Sequence, residues 1–303
     1  MKTPSVSRRD FLGRLAAAAG LAGPAAQALA EARSAGRRKL GVALVGLGGY
    51  SRGQLGPALR ETELCRLAGV VTGDPAKGAR WAREYGFPES SVYGYETMAR
   101  LADNPDIDVV YVVTPPGLHA EHSIAAARAG KHVICEKPMA NTVAECDAII
   151  AACRAAGVSL SIGYRLHYEP HHREFARLAR EEVFGPFRTL AGANGFRLSQ
   201  RAWRVEKALA GGGPLMDMGT YVVQAACMAK AEAAPVAVTA KFDPVTRPEL
   251  FDQVEESVRW TMEFADGARG EGHASYAEGF SWFRAEGARG WAELGAPAFY
   301  YSG

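Results

Sequence analysis

The chain has 303 residues, 48% of them hydrophobic and 22% charged, with a formal net charge of +2. This composition supports large apolar cores, and the length exceeds that of one typical α/β domain, so two domains are predicted. The first 30 residues alone carry a net charge of +3, which leaves −1 for the rest of the chain. A near-neutral remainder argues against a nucleic-acid partner.

The N-terminus has the pattern of an export signal. Residues 7–12 read Ser-Arg-Arg-Asp-Phe-Leu, and an alanine-rich run follows that ends at Ala28-Leu29-Ala30, a sequence typical of a cleavage site. Glycines, Arg14 and Pro24 interrupt the run, so it makes a poor membrane anchor, which needs about 20 mainly apolar residues. We therefore predict a twin-arginine signal over residues 1–30 and a linker over 31–39. The expected outcome is export of the folded protein by the twin-arginine machinery to the periplasm, without stable membrane insertion.

From about residue 40, short apolar runs alternate with helical stretches. Such alternation predicts an α/β domain with a doubly wound parallel sheet of the Rossmann type over residues 40–163. The predicted strands are Val42–Val45, Leu67–Val71, Val109–Val113, His132–Cys135 and Val158–Ile162, and the predicted helices include Ala76–Tyr85, His119–Ala129 and Val143–Ala156.

The second half, residues 164–303, has a different pattern. Strands follow one another with few helices, Asp266-Gly267 indicates a hairpin, and one helix is expected to begin near Pro214. This pattern predicts a C-terminal α+β domain with a large, mostly antiparallel open sheet. The predicted strands are Phe187–Phe196, Val236–Phe242, Val254–Phe264, Ala268–Tyr276 and Trp282–Glu286.

A glycine-rich turn follows the first predicted strand. Gly46-Leu47-Gly48-Gly49-Tyr50 is typical of a loop that binds the pyrophosphate of a dinucleotide, although Ser51 replaces the third glycine of the full motif. An exported enzyme that folds around a nicotinamide cofactor has no external supply of it, so tight retention is expected.

The end of the second strand bears on cofactor choice. Thr72 stands where NAD-selective sites place a carboxylate, and Lys77 follows, so NADP is favoured over NAD. In the alternative, Asp74 takes the acidic role and Lys77 is a solvated helix residue.

Two further motifs carry side chains suited to catalysis. Lys137, in Cys-Glu-Lys-Pro, follows a parallel strand, at the edge where open α/β sheets bind ligands. Asp217 and Tyr221 are four residues apart on one predicted helix and therefore share a face. Taken alone, the lysine is typical of a surface loop, and the other two of a helix cap and a core tyrosine.

Together these motifs resemble the Gfo/Idh/MocA family, and within it the glucose–fructose oxidoreductase branch. The similarity extends from about Lys39 to Gly303. The segments that carry it are Val45–Gly48, Gly130–Val133, Cys135–Met139, Ile162–Arg165 with His167-Tyr168, Trp203-Arg204, Leu209–Asp217 and Tyr300-Tyr301.

The resemblance implies roles for particular residues. Lys137, Asp217 and Tyr221 match catalytic positions, with Tyr221 as proton donor and acceptor, while Tyr301 and Arg165 match the substrate pocket. It also implies tightly held NADP, no metal, and a homodimer or homotetramer formed through the C-terminal sheet. The matching cofactor contacts are Gly46, Leu47, Gly48, Gly49, Tyr50, Thr72, Lys77, Tyr95, Thr114, Pro115, His119, Glu136, Lys137, Arg165, Trp203 and Arg204.

Two departures from the pattern bear on these expectations. The linker Glu31–Lys39 is shorter than the arm that packs on a neighbouring subunit in that branch, so cofactor locking by an arm is in doubt. The chain also ends at Gly303, before the last strand and helices of the family, so a truncated C-terminus is expected.

The expected function is oxidation of an aldose to a lactone and reduction of a second sugar by one retained NADP(H). One alternative is a glycoside hydrolase of the same fold that retains its cofactor, although such relatives typically have a histidine at the position of Tyr221. The other is a sugar or cofactor sensor without catalysis, against which the joint presence of Lys137, Asp217 and Tyr221 argues.

Overall fold

The computed structural model describes residues 38–296 and Phe299, which form two six-stranded sheets. In the first sheet all strands are parallel, in the order β3-β2-β1-β4-β5-β6, which is the order of a dinucleotide-binding Rossmann fold. Its strands are β1 (Leu40–Val45), β2 (Cys65–Val71), β3 (Val92–Tyr93), β4 (Val109–Val112), β5 (His132–Glu136) and β6 (Leu160–Gly163).

Helices connect and cover these strands. The α-helices of the whole described chain are α1 (Gly56–Glu61), α2 (Pro75–Tyr85), α3 (His119–Arg128), α4 (Val143–Ala156), α5 (Pro170–Arg180), α6 (Lys207–Ala210) and α7 (Thr220–Ala229). Two π-helical turns, Ser51–Leu55 and Leu215–Gly219, lead directly into α1 and α7. Short 3₁₀ segments lie at Glu89–Ser91, Tyr95–Asp103, Pro116–Leu118, Arg165–His167 and Trp203–Val205.

The sequence places α4 through local hydrogen bonds at both ends. Thr142 and Glu145 form a reciprocal capping box, because each side chain bonds the backbone N–H of the other residue. Gly157 ends the helix with a positive φ of 66°, a conformation that costs glycine little. The predicted bounds of this helix, Val143–Ala156, are confirmed.

The second sheet has the order β12-β11-β7-β10-β9-β8. All neighbouring pairs are antiparallel except β7 with β10, which run parallel. The strands are β7 (Thr189–Gly195), β8 (Ala237–Phe242), β9 (Ser257–Glu263), β10 (Arg269–Ser275), β11 (Phe280–Gly287) and β12 (Gly290–Leu294). The predicted α/β class, with a Rossmann sheet and a mostly antiparallel second sheet, is confirmed.

Each sheet has its own buried core. In the second half, side chains of α5 and α7 pack on one face of the sheet, where Phe175, Val222 and Phe283 are almost fully buried. The Rossmann sheet is covered on both faces, with Val110 and Ile149 in one buried cluster and Leu44 and Trp81 in the other. This double coverage explains why its strands read as continuous apolar runs.

The sequence patterns left several elements out. Strand β3 has only two residues, too few for an alternating pattern, and neither α5 nor β12 was predicted. The helix expected near Pro214 begins as the π-turn Leu215–Gly219 and becomes α-helical only at Thr220. Among residues 38–296, no helix is long and apolar enough to cross a membrane.

Candidate active site

A cleft lies where the carboxyl ends of the Rossmann strands face the π-turn before α7. Residues from both halves of the chain line it, which is the usual position for ligands of an open α/β sheet. The structure brings together in this lining the following residues predicted from the sequence: Tyr50, Thr114, His119, Glu136, Lys137, Arg165, Trp203, Arg204, Asp217 and Tyr221.

The glycine-rich turn after β1 has the shape that a dinucleotide requires. Gly46 adopts a φ of 94°, and its carbonyl accepts a hydrogen bond of 2.6 Å from the buried hydroxyl of Ser51. A Cβ atom added at Gly48 or Gly49 would meet no other atom within 4 Å, so the backbone is open to an approaching phosphate. Because the turn leads into a helix N-terminus, these residues fit the pyrophosphate of a dinucleotide.

The candidate residues for cofactor selection lie at the carboxyl end of β2. The Thr72 hydroxyl accepts a hydrogen bond from the Asp74 backbone N–H at 3.2 Å, and Thr72 is buried. The Asp74 carboxylate caps α2 by accepting from the Lys77 backbone N–H at 3.0 Å. That bond lowers the pKa of Asp74. Lys77 is the third residue of α2 and lies in its first turn.

Several other predicted cofactor contacts lie around this end of the sheet rather than in the lining of the cleft. Tyr95 stacks on His122 with ring centroids 4.9 Å apart, and its ring faces Gly73. Pro115 precedes Pro116, which does line the cleft. Tyr301 lies outside the described residues, as do residues 1–37 of the proposed signal and linker.

Asp217 is the centre of the charged groups in the cleft. Lys137 Nζ donates to its Oδ1 at 3.2 Å and to its backbone carbonyl at 2.7 Å. Arg204 Nε donates to Oδ2 at 2.8 Å. Burial alone would raise the pKa of Asp217, but the two cations and their hydrogen bonds outweigh it and lower this pKa to about 2. Asp217 is therefore an anion at neutral pH.

Tyr276 is a further partner of Asp217 that the sequence did not reveal. Its hydroxyl donates to Oδ2 at 2.9 Å, and its side chain is fully buried. Burial, and the Asp217 charge beside it, raise the pKa of Tyr276 well above its usual value. Tyr276 therefore stays protonated and acts as a fixed hydrogen-bond donor. From the sequence alone it was assigned only to a predicted strand, because a single aromatic residue there is typical of the core.

Tyr221 lies one helical turn beyond Asp217, at the start of α7. Its ring centroid is 4.6 Å from Lys137 Nζ and 5.5 Å from the centroid of the Tyr164 ring. The side chain is 96% buried yet lines the cleft. The three predicted catalytic residues are therefore close neighbours, although Lys137 and Asp217 are 80 positions apart in the sequence.

Buried polar contacts hold the loop that carries Lys137. The ring of His119 lies between two backbone carbonyls, with Nδ1 2.9 Å from Pro138 O and Nε2 2.7 Å from Thr114 O. Burial lowers the pKa of His119. Glu136 accepts a hydrogen bond of 2.7 Å from the Tyr111 hydroxyl, and burial raises its pKa. These contacts tie the end of β4 to the loop after β5.

The fold and the cleft define a Rossmann-type dinucleotide-binding protein with a second, sheet-based domain that completes the site. Comparison with known families then identifies its relatives. The NAD-binding Rossmann domain of the Gfo/Idh/MocA oxidoreductases matches residues 40–164, and the C-terminal domain of the same family matches residues 172–293. The chain belongs to the Gfo/Idh/MocA family.

Three relatives indicate the chemistry of similar proteins. The chain is 44% identical to the aldose-aldose oxidoreductase of Caulobacter crescentus, crystallised with glycerol, with a TM-score of 0.85 over 88% of this chain and 79% of that one. A levoglucosan dehydrogenase in complex with NADH and levoglucosan is 26% identical, with a TM-score of 0.74 over 85% of this chain and 74% of that one. The NADP(+) D-xylose 1-dehydrogenase of Haloarcula marismortui is 29% identical over 73% of this chain and 62% of its own length. The chain spans about half the length of the curated relatives it matches.

Proposed function

We propose that this protein is a sugar oxidoreductase that oxidises an aldose to a lactone and reduces a second sugar with the same tightly bound NADP(H). The observation that carries the proposal is the convergence of Lys137, Asp217 and Tyr221 in one cleft beside the glycine-rich turn. The similarity to an aldose-aldose oxidoreductase supports the substrate class.

In this reading Lys137 binds the reacting hydroxyl of the sugar. An ammonium group has three donors, and two of the Lys137 bonds go to Asp217, so one N–H is available to the substrate. Its positive charge favours the alkoxide that forms as the hydroxyl loses its proton. The Asp217 anion, itself fixed by Arg204 and Tyr276, orients the Lys137 ammonium group.

Tyr221 is assigned the transfer of the proton. Its ring centroid lies 4.6 Å from the Lys137 ammonium nitrogen, so the two side chains lie together at the place proposed for the reacting hydroxyl. A positioned acid–base group of this kind accelerates proton transfer by about 10²–10⁴-fold. When bound, the nicotinamide cofactor supplies a hydride acceptor in one half-reaction and a hydride donor in the other.

The residues assigned to the cofactor divide by the part of it they would hold. The turn from Gly46 to Tyr50 would hold the pyrophosphate, and Thr72 and Lys77 the 2′-phosphate of NADP. Both cofactors occur among the relatives, since the xylose dehydrogenase is described with NADP(+) and the levoglucosan dehydrogenase with NADH. A lysine in the first turn of α2 supports the choice of NADP.

Export and assembly belong to the same proposal. The signal over residues 1–30 would carry the folded protein to the periplasm through the twin-arginine machinery, which requires that the cofactor leave with it. The open sheet supports self-association, because Val238 and Phe242 on edge strand β8 are 59% and 63% exposed. We propose a homodimer or homotetramer formed through this sheet.

The test is the identity of the cofactor that the protein retains. The purified protein, to which no nucleotide has been added, is denatured and the supernatant is analysed by absorbance and mass. NADP or NADPH in about one copy per chain is expected. A preparation that contains no nucleotide and works only with millimolar NAD(P) added would overturn retention. If no aldose reduces the bound cofactor but the preparation cleaves an aryl glycoside, the hydrolase interpretation would replace the oxidoreductase one.

A further inference from the structure

A second cavity, of about 310 Å³, adjoins the Asp217 carboxylate. It lies between the π-turn Leu215–Gly219 and the neighbouring strands β7 and β11, and Phe196 lines one part of it. Asp217 and Arg204 line both this cavity and the main cleft, so the two spaces adjoin at these residues.

Two residues of the sheet line this cavity with polar atoms that are inaccessible to water. Asn194 on β7 and Ser281 on β11 are direct cross-strand partners, and Asn194 is 99% buried. Within residues 38–296, neither Asn194 Nδ2 nor Ser281 Oγ has a hydrogen-bond partner. Buried polar atoms almost always form hydrogen bonds, because an unpaired atom loses its hydration without a compensating hydrogen bond.

A second polar pair in the same sheet provides a comparison. Ser257 on β9 and Ser275 on β10 are also cross-strand partners, and their hydroxyl oxygens lie 2.6 Å apart. That pair satisfies itself within the protein. Asn194 and Ser281, in contrast, are left to bond something in the cavity.

The lining indicates the chemistry of that ligand. Asn194 Nδ2 supplies two donors, Ser281 a hydroxyl that donates or accepts, and Asp217 an acceptor, while the Phe196 ring offers an apolar surface. Alternating donors and acceptors beside an aromatic ring suit a chain of carbons that each carry one hydroxyl. We propose that this cavity is a subsite for the hydroxyl groups of a sugar that lie away from the reacting carbon, with Asn194 and Ser281 as its specificity residues. The inference rests on the proposed function, since it extends the same substrate.

Binding of an unreactive sugar tests the subsite without any turnover. The probe is 1,5-anhydro-D-glucitol, a pyranose ring that cannot form a lactone. Dissociation constants are measured by ligand-observed NMR on the protein as purified. Asn194→Leu and Ser281→Ala are each expected to weaken binding of the ring about three- to tenfold. Ser257→Ala, which removes a hydroxyl from the paired site, is the control and should leave this dissociation constant unchanged.

Thermal unfolding without sugar separates binding from damage to the fold. Replacing an unpaired polar side chain by an apolar one is nearly neutral, so Asn194→Leu should melt at or above the wild-type temperature, whereas Ser257→Ala should melt below it. If Asn194→Leu does not fold, the smaller change Ser281→Ala decides the question.

The outcomes distinguish the subsite from the proposed function. Unchanged affinity for the ring in both variants would assign the cavity to solvent and overturn the subsite, even if aldoses reduce the cofactor. If no aldose reacts but the ring binds through Asn194 and Ser281, the proposed oxidation fails and the subsite stands. An equal loss in the Ser257→Ala control would also contradict it, because the effect would then not depend on the residues that line the cavity.

Discussion

Replacing Asp217 by Asn should destabilise the protein measurably at neutral pH. The carboxylate accepts hydrogen bonds from Lys137, Arg204 and Tyr276, and these surroundings lower its pKa from 3.8 to about 2. A difference of this size between folded and unfolded chains corresponds to about 2 kcal/mol of stability. The amide keeps the shape but loses the charge and leaves two cations side by side. We therefore expect Asp217→Asn to lower the free energy of unfolding at pH 7 by at least about 2 kcal/mol, measured by urea titration.

The pH dependence of that difference has a defined sign. Because folding lowers the pKa of Asp217, its contribution is fully present above the unfolded value of 3.8 and is lost as the pH falls through about 2. The gap between wild type and Asp217→Asn should thus be equal at pH 7 and pH 5 and shrink below pH 4.

The control for this prediction is an exposed ion pair. Asp252 accepts from Arg201 at 2.9 Å with both side chains at least 42% exposed, so Asp252→Asn should cost less than about 1 kcal/mol. Equal losses for the two variants at pH 7, or a gap that already changes between pH 7 and pH 5, would refute the argument.

Three further substitutions test the assignments around the cleft. Lys77→Ala should weaken NADP binding by about one to two decades and leave NAD binding unchanged, because a charge-assisted bond to the 2′-phosphate is lost. Arg80→Ala, one turn along α2, is the control. Equal losses of affinity for both cofactors would show that Lys77 does not bind the 2′-phosphate. Tyr276→Phe should lower the free energy of unfolding by about 1 kcal/mol in wild type but by much less in the Asp217→Asn background, and additive losses in that double-mutant cycle would mean that the two side chains are not coupled. Tyr221→Phe keeps the ring but removes the hydroxyl, so both half-reactions should slow by about 10²–10⁴-fold while the bound cofactor stays stoichiometric. An unchanged single-turnover rate would show that the proton leaves by another route.

Local signals made much of the fold predictable. The apolar runs of the Rossmann sheet are long and buried on both faces, so their alternation with helices was sufficient to assign a parallel sheet. Helix α4 keeps its predicted bounds, Val143–Ala156, and the structure shows that Thr142 and Gly157 cap it locally. Strand β3 consists of only two residues, both paired with β2. A strand this short has no alternation of apolar and polar residues that the sequence could reveal.

Site residues that belong to sequence motifs could be predicted, whereas residues that join the site only through tertiary contacts could not. Lys137 and Asp217 belong to recognisable segments, and the structure places them 3.2 Å apart. Tyr276 contacts the same carboxylate from 59 positions away on the chain, and no local pattern marks a strand tyrosine as a hydrogen-bond donor. Asn194 and Ser281 are likewise brought together only by the register of β7 with β11.

A single-turnover measurement tests the proposed chemistry most directly. The purified protein, whose own cofactor has been oxidised, is mixed with an aldose such as glucose, and absorbance at 340 nm is followed. We expect the absorbance to rise to about one reduced nicotinamide per chain with no cofactor added, and to fall again when a second sugar follows. No rise with any aldose would contradict the proposed function, and a rise that appears only after free NADP is supplied would contradict the retained cofactor.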